Sequence, residues 1–233
     1  MENNEIRYSD QVSDAVFSLL MRKVYSWMTI ALFITGITAY VVSSNHAFME
    51  MLYTNSIARW GLIIAQLGTV IVLTTRIQRM SIQLATSIFI LYSFLTGITF
   101  STIFAIYTQQ SIASTFLIAA AVFLVTSIYG WVTKRDLTKI GSLAFMGLMG
   151  IILASVINFF LQSTMMMLIV SYIAVVIFVG LIAYDTQKLK QLALQCEGDE
   201  DMTHRFALIG ALSLYLDLIN LFIQLLNILG RRR

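Results

Sequence analysis

Seven long apolar stretches are the feature that most constrains how this chain can fold. A helix that crosses the hydrocarbon core of a bilayer needs about 20 predominantly apolar residues. Because lipid cannot satisfy backbone polar groups, stretches close to this length predict membrane-spanning helices. We predict spans at residues 24–42, 60–75, 82–107, 112–132, 140–161, 165 to at least 184, and 206–230.

The composition supports an integral membrane protein. The chain is 58% hydrophobic and 12% charged, and that charged fraction is about half of the roughly 25% typical of soluble domains. We therefore predict an all-α fold with a cytoplasmic N-terminal segment, residues 1–23, followed by one seven-helix transmembrane domain, residues 24–233. Apolar residues recur at helical spacing before the first span, so residues 10–23 are predicted to form an amphipathic helix at the membrane surface.

Charge and metal-ligand content exclude several classes of partner. The formal charge is +3, but the basic residues are dispersed among the ends of apolar spans, so nucleic acid is not predicted. Cys196 is the only cysteine, and His46 and His204 lie far apart in loops. Zinc sites need three or four clustered ligands. We therefore expect neither a disulfide nor a resident metal or cofactor, and the bilayer is the partner that composition implies.

The distribution of lysine and arginine predicts the orientation of the spans. Cytoplasmic loops of membrane proteins carry an excess of these residues. A cytoplasmic N-terminus leaves only Arg59 outside and places eleven basic residues inside: Arg7, Arg22, Lys23, Arg76, Arg79, Lys134, Arg135, Lys139, Lys188, Lys190 and Arg205. The terminal run 231–233 does not fit. Either the last span crosses against the rule, or it is re-entrant and returns the tail to the inside.

The last apolar stretch carries an unusual row of polar residues. Ser213, Asp217, Asn220, Gln224 and Asn227 follow one another at spacings of 4, 3, 4 and 3, which places them on one stripe of a helix. A polar stripe inside hydrocarbon should face protein or a water-filled cavity. We therefore predict a central seventh helix surrounded by the other six, with Asn220 and Gln224 along an ion pathway.

The fifth predicted span has a stripe of small residues. Gly141, Ala144, Gly147, Gly150 and Ala154 recur every three or four residues. Such stripes let helix backbones approach closely in lipid, so this face is predicted to pack against another helix.

Asp185 and Asp217 are the only acidic residues that this interpretation places in spans. A buried carboxylate needs a partner, a proton or water. If the two face each other, they could share one proton because neighbouring like charges resist ionising together. Ionised, they would offer hard oxygen ligands to a cation such as Ca²⁺. The alternative for Asp185 is an interfacial residue at a helix end.

Two sequence motifs resemble the Bax inhibitor family. The first is Ala183-Tyr184-Asp185-Thr186-Gln187, and the second runs from Ser213 to Phe222 with the sequence Ser-Leu-Tyr-Leu-Asp-Leu-Ile-Asn-Leu-Phe. The resemblance implies a pH-dependent Ca²⁺ leak through a bacterial inner membrane protein, with Asp185 and Asp217 as the pH-sensing latch. It also implies a latch arginine at the end of the second span, where Arg76 and Arg79 are both candidates. Their alternative role is to obey the positive-inside rule.

Two other functions remain open at the level of sequence. Some bacterial relatives in this family bind and restrain a membrane-embedded ATP-dependent protease, so a regulatory role is also implied. An intramembrane aspartyl protease would likewise place two aspartates in neighbouring helices. Here Asp217 follows Leu216 rather than a glycine turn, and the chain has no proline. We therefore expect a non-enzymatic protein.

Overall fold

The computed structural model describes the backbone of residues 2–196 and 199–233 and the side chains of residues 16–195 and 199–233. This described part of the chain consists of α-helices joined by short turns, without strands. The helices are α1 (Glu2–Ser43), α2 (His46–Thr54), α3 (Ser56–Arg76), α4 (Ile82–Ile106), α5 (Gln109–Val132), α6 (Thr138–Leu161), α7 (Thr164–Ala193) and α8 (Glu200–Leu229).

Seven of the described helices, α1 and α3 to α8, are long and apolar enough to cross a membrane. The prediction of an all-α integral membrane protein with seven spans is therefore confirmed. The short α2 contains His46, which the sequence analysis places in a loop. It begins at an N-cap where the Asn45 side chain accepts a hydrogen bond from Phe48 N–H. An asparagine at this position satisfies one of the unpaired donors at a helix start.

The N-terminal segment differs from the prediction of a separate surface helix. The predicted boundary after residue 23 falls inside α1, which continues to Ser43. Phe17, Leu20 and Val24 are almost fully buried, so the apolar face packs within the protein instead of lying on the membrane. The predicted amphipathic positions before residue 16 lie outside the described side chains.

The chain divides into two compact units. The first comprises residues up to Ile106 together with Gln191–Leu212, and the second comprises Tyr107–Lys190 together with Ser213–Arg233. Helix α8 therefore contributes its first part to one unit and its second part to the other.

Close helix contacts organise the first unit. Thr35 of α1 donates a hydrogen bond to the Ser93 carbonyl of α4 at 3.0 Å. Gly97 of α4 lies so close to Thr38 that a Cβ there would stand 2.6 Å from the Thr38 Cβ. Gln66 ties α3 to α4 by donating to the Leu95 carbonyl at 2.8 Å. The apolar face of α3 is otherwise largely exposed, as a lipid-facing helix requires.

The small residues of α6 pack only in part as predicted. A Cβ at Gly147 would lie 2.6 Å from Ile177 of α7, and Ala144 lies beside Gly180 of the same helix. The prediction is wrong for Gly150, where a Cβ would meet nothing within 4 Å. The close approach at glycine positions of α6 therefore includes Gly147 but not Gly150.

Helix α8 is unbroken over 30 residues, a length of about 45 Å that exceeds the roughly 30 Å hydrocarbon core. In its most apolar segment 72% of the residues are buried, whereas the corresponding share is 6–39% in the other spans. None of the described residues 203–228 is exposed. This burial agrees with the prediction that the last span is shielded by protein instead of facing lipid.

The C-terminal tail is fastened beside the turn between α4 and α5. Thr108 N–H donates to the Arg231 carbonyl at 3.2 Å, and Arg231 N–H donates to Ser111 Oγ at 2.8 Å. Tyr107 and Arg232 form an isolated antiparallel bridge. The tail therefore lies on the same side as this uncharged turn, so α8 crosses fully and the re-entrant alternative is wrong.

This topology predicts a labelling pattern. In a Cys196→Ser background, Gln110→Cys and Arg233→Cys should react with a membrane-impermeant maleimide from the same side of sealed vesicles. Lys139→Cys, in the first turn of α6 and beyond the opposite end of α5, should react only from the other side. Position 233 reacting together with position 139 would contradict a full crossing by α8.

Candidate functional site

The first aspartate motif, residues 183–187, holds α7 against its neighbours through contacts made by each residue. A Cβ added to Gly130 of α5 would overlap the Ala183 carbonyl, and one added to Gly141 of α6 would lie 2.5 Å from the Tyr184 ring. Glycine is required at both positions because the partner backbone or ring occupies the space of a side chain. These contacts fix the rotation of α7 about its axis.

The last two residues of the motif add hydrogen bonds. Thr186 and Ser127 of α5 share a buried hydroxyl–hydroxyl hydrogen bond of 3.0 Å. The Gln187 side chain accepts from Leu137 N–H at 2.9 Å and donates to the Arg135 carbonyl at 2.9 Å, so it holds the turn between α5 and α6. The motif is therefore a packing device as well as the carrier of a carboxyl group.

The rotation of α7 set by these contacts directs Asp185 towards α8. The Ser213 hydroxyl donates a short hydrogen bond to Asp185 Oδ2, and Asp217 lies one helical turn after Ser213 along α8. The structure thus brings together the two aspartates that the sequence analysis selected. Asp185 is half-buried and lies within α7, which continues to Ala193, so it is not the last residue of a helix.

Asp217 has an unusual environment for a carboxyl group. Its side chain is 6% exposed, and its Oδ2 atom has no hydrogen-bond partner among the described residues. Burying such an atom without a partner is costly. An orphaned carboxyl oxygen of this kind marks a place where a proton, a water or a cation would be stabilised.

The polar stripe of α8 continues from this pair to the far end of the helix. Asn220 and Gln224 are half-buried, whereas Leu214, Leu218 and Leu221 on other faces are at most 2% exposed. The Asn220 amide donates to the Leu216 carbonyl in its own helix at 2.8 Å. The partly exposed side chains of this part of α8 therefore lie on its polar face.

The far end of the stripe is held by side chains of other helices. Asn227 accepts a hydrogen bond from the Tyr107 hydroxyl at 3.1 Å and donates to Ser171 Oγ of α7 at 3.4 Å. Asn227 follows Ser213 by 14 residues, so the stripe extends about 21 Å along the helix axis.

The candidate arginines lie in the first unit. Arg76 ends α3 and Arg79 closes the short 3₁₀ turn that follows, and both side chains are exposed. The turn between them is held by Arg205 of α8, which donates a short hydrogen bond to the Ile77 carbonyl and a second one, of 2.7 Å, to the Met80 carbonyl. The role of Arg76 or Arg79 in a latch stays a prediction.

Sequence reasoning missed the partners of these groups. Ser213 was recognised in the polar stripe, and its position one turn before Asp217 was the available signal for a role beside the carboxyl pair. Arg205 was counted only as a basic residue near a span end. Nothing in the sequence pairs Ser127 with Thr186, because the two residues are 59 positions apart.

Oxygen atoms dominate the ligands that the site offers. No group of three or more His, Cys, Asp and Glu side chains stands together among the described residues. Asp185, Asp217 and Ser213 supply carboxyl and hydroxyl oxygens, which suit hard cations. Ca²⁺ takes six to eight oxygen ligands, so these residues would complete its shell only with water or backbone oxygens.

Comparison with known proteins gives consistent matches along the chain. Residues 18–233 match the family described as inhibitor of apoptosis-promoting Bax1. The chain is 50% identical over 214 residues to inner membrane protein YbhL of Escherichia coli, covering 91% of this chain and 92% of that protein. A protein of Borreliella burgdorferi is 43% identical, covering 91% and 92%. A membrane protein of Streptococcus pyogenes is 36% identical, covering 98% and 99%. The matched residues include both aspartate motifs.

The Ser213–Asp185 bond predicts a pH-dependent effect on stability. Ser213→Ala leaves the carboxylate without this donor and should lower the free energy of unfolding by about 1–3 kcal/mol at neutral pH. The loss should shrink in acid, because a protonated carboxyl group gains less from a donor. Thermal unfolding in detergent across a pH series measures it.

Ser127→Ala is the matched control, because Ser127 bonds to the neutral Thr186 hydroxyl. Its cost should not vary with pH. Identical, pH-independent losses in both variants would show that the Ser213 bond does not depend on a charged carboxylate.

Proposed function

Because the chain belongs to the Bax inhibitor family of integral membrane proteins, we propose that it is a pH-sensitive, calcium-permeable leak channel gated by Asp185 and Asp217. The observation that carries the proposal is the hydrogen bond that Ser213 of α8 donates to Asp185 of α7, because Ser213 lies one turn before Asp217 in the polar stripe of α8. The channel would act in the inner membrane, where the named Escherichia coli relative resides, with its N-terminus in the cytoplasm.

The proposed gate operates through the number of protons on the aspartate pair. Interacting carboxyl groups titrate as a unit, and two ionised groups repel each other strongly where water is scarce. A proton shared between them permits close contact of α7 with the second part of α8. Loss of that proton, or its replacement by a cation, changes the balance of attraction and repulsion between these two helices.

The proposed path runs along the polar face of α8. Asn220 and Gln224 would supply amide oxygens to a passing cation, and both side chains are partly exposed. The roughly 21 Å between Ser213 and Asn227 covers most of the hydrocarbon thickness of about 30 Å. A cation entering beside the aspartates would therefore meet polar groups over most of the crossing.

The ligand set suits a Ca²⁺ ion in transit. Conduction requires a site attractive enough to admit the ion and weak enough to release it. Two carboxyl groups neutralise a divalent charge, whereas the incomplete set of protein oxygens leaves the rest of the coordination shell to water. Ca²⁺ is the cargo in this proposal, and protons are the regulator.

The same aspartate pair does not favour peptide hydrolysis. An aspartyl protease must admit an extended peptide backbone beside its carboxyl groups. Asp217 lies within the unbroken helix α8, whose backbone groups are already paired. A non-enzymatic conduit therefore accounts better for the geometry.

The latch predicts coupled effects of the two aspartates. Asp185→Asn and Asp217→Asn each remove a titrating group, so each should weaken the pH dependence of Ca²⁺ flux. The double variant should do little more than one single variant, with a coupling energy of about 0.5–3 kcal/mol for residues in one network. Flux into dye-loaded vesicles, at matched protein amounts across a pH series, measures these effects.

Asp136→Asn is the control for a general loss of negative charge. Asp136 is exposed, and hydrogen bonds from the Thr138 hydroxyl and backbone N–H hold the pKa of its carboxyl group below the usual range. It therefore stays ionised across the series, and its replacement should leave the flux profile unchanged. Unaltered profiles in both latch variants would overturn the proposal.

The basic turn after α3 makes a separate prediction. If one of its arginines secures the closed state, Arg76→Gln or Arg79→Gln should raise the leak at neutral pH by at least about tenfold, as expected for the loss of one charge-assisted hydrogen bond. Arg59→Gln, at the opposite end of α3, is the control. Equal and negligible effects of all three would leave both arginines with a topological role only.

A further inference from the structure

A polar cavity lies where the C-terminal tail meets the start of α5. It has a volume of about 260 Å³ and is lined by Thr108, Gln110, Ser111, Ser114, Leu229 and Arg231. No acidic side chain is among these lining residues. The cavity lies at the ends of α5 and α8, which are spans, so it is at the level where lipid headgroups meet the hydrocarbon core.

The cavity lining is rich in unused hydrogen-bond donors. Thr108 Oγ1 accepts from Ser111 N–H at 3.3 Å, and Ser111 Oγ accepts from Arg231 N–H at 2.8 Å. Both hydroxyls thus act as acceptors within the protein, and their own O–H groups have no acceptor among the described residues. A hydroxyl can donate one hydrogen bond while it accepts others. With the Gln110 amide and the Arg231 guanidinium, these hydroxyls present donors to a ligand.

The acidic residues of the second unit lie away from the positive charge of the tail. The acidic residues of that unit are Asp136, Asp185 and Asp217. Asp217 lies 14 residues before Arg231, about 21 Å along the helix, and Asp136 follows the opposite end of α5. Arg231, Arg232 and Arg233 are all exposed, so their charges are available to an anion from outside the protein.

We propose that this cavity binds the phosphate group of an anionic phospholipid. A phosphate offers several acceptor oxygens, which match the hydroxyl, amide and guanidinium donors. A lipid with net negative charge also attracts the two further arginines, because basic residues beside a membrane are drawn to anionic lipids. The acyl chains would extend along the exposed apolar surface of α5. The negative charge of the bound lipid would offset the positive charge of the three arginines of the tail.

The test measures lipid retention by the purified full-length protein with native mass spectrometry, using phosphatidylglycerol, phosphatidylcholine and inorganic phosphate as probes. Phosphatidylglycerol should be retained in preference to phosphatidylcholine. Arg231→Gln should weaken its binding at least about tenfold, since charge-assisted hydrogen bonds are worth about 1.5–3 kcal/mol. Arg233→Gln removes the same charge outside the cavity and should weaken binding by no more than about fivefold.

A second variant tests the cavity apart from the tail. Gln110→Leu keeps every charge and changes an exposed side chain, so the protein should fold normally while its retention of phosphatidylglycerol falls. Equal effects of Arg231→Gln and Arg233→Gln, or no preference for phosphatidylglycerol, would overturn the proposal. Inorganic phosphate that displaces the lipid and binds as tightly would identify a free-anion site instead.

Discussion

The burial of the Asp217 carboxyl group in the middle of an apolar helix is the constraint on which the rest of the structure depends. A carboxyl group in hydrocarbon is expensive, so this helix must be enclosed by protein. The other spans can expose apolar faces to lipid, as α3 does, but α8 is covered along nearly its whole described length. The acid in α8 therefore gives a physical reason why this span is more buried than the others.

The partner of that side chain is set by backbone packing, not by charge. Asp185 faces α8 because the contacts of α7 with its neighbours fix the orientation of α7 about its own axis. Gly130 admits the Ala183 backbone and Gly141 admits the Tyr184 ring, while Thr186 bonds to a buried hydroxyl. The aspartate in the middle of this motif is then directed to Ser213. This arrangement explains how one motif combines packing contacts with a carboxyl group directed at α8.

Helix α8 is held at its two ends by different kinds of contact. Near its start, Arg205 binds the carbonyl groups of Ile77 and Met80 within the first unit. At its end, Asn227 and the tail bond to the Tyr107–Ser111 segment within the second unit. The middle of the helix carries the polar stripe and the orphaned oxygen of Asp217. A gate based on small movements of α7 and α8 would benefit from fixed ends, since they confine the change to the carboxyl pair.

The sequence by itself determined the membrane class, the seven spans, the enclosed last helix and the two aspartates. These features follow from local hydrophobicity and from the cost of an isolated acid in an apolar stretch, which a sequence shows directly. Only the tertiary structure decided that the helix of residues 10–23 continues into the first span. It also decided that Gly150 makes no close helix contact, and that the tail is hydrogen-bonded to Ser111. It also decided that Ser213 and Arg205 are the binding partners of Asp185 and of the turn after α3. Those outcomes depend on close approaches between residues 28 or more positions apart, and neither periodicity nor the positive-inside rule carries information about such distances.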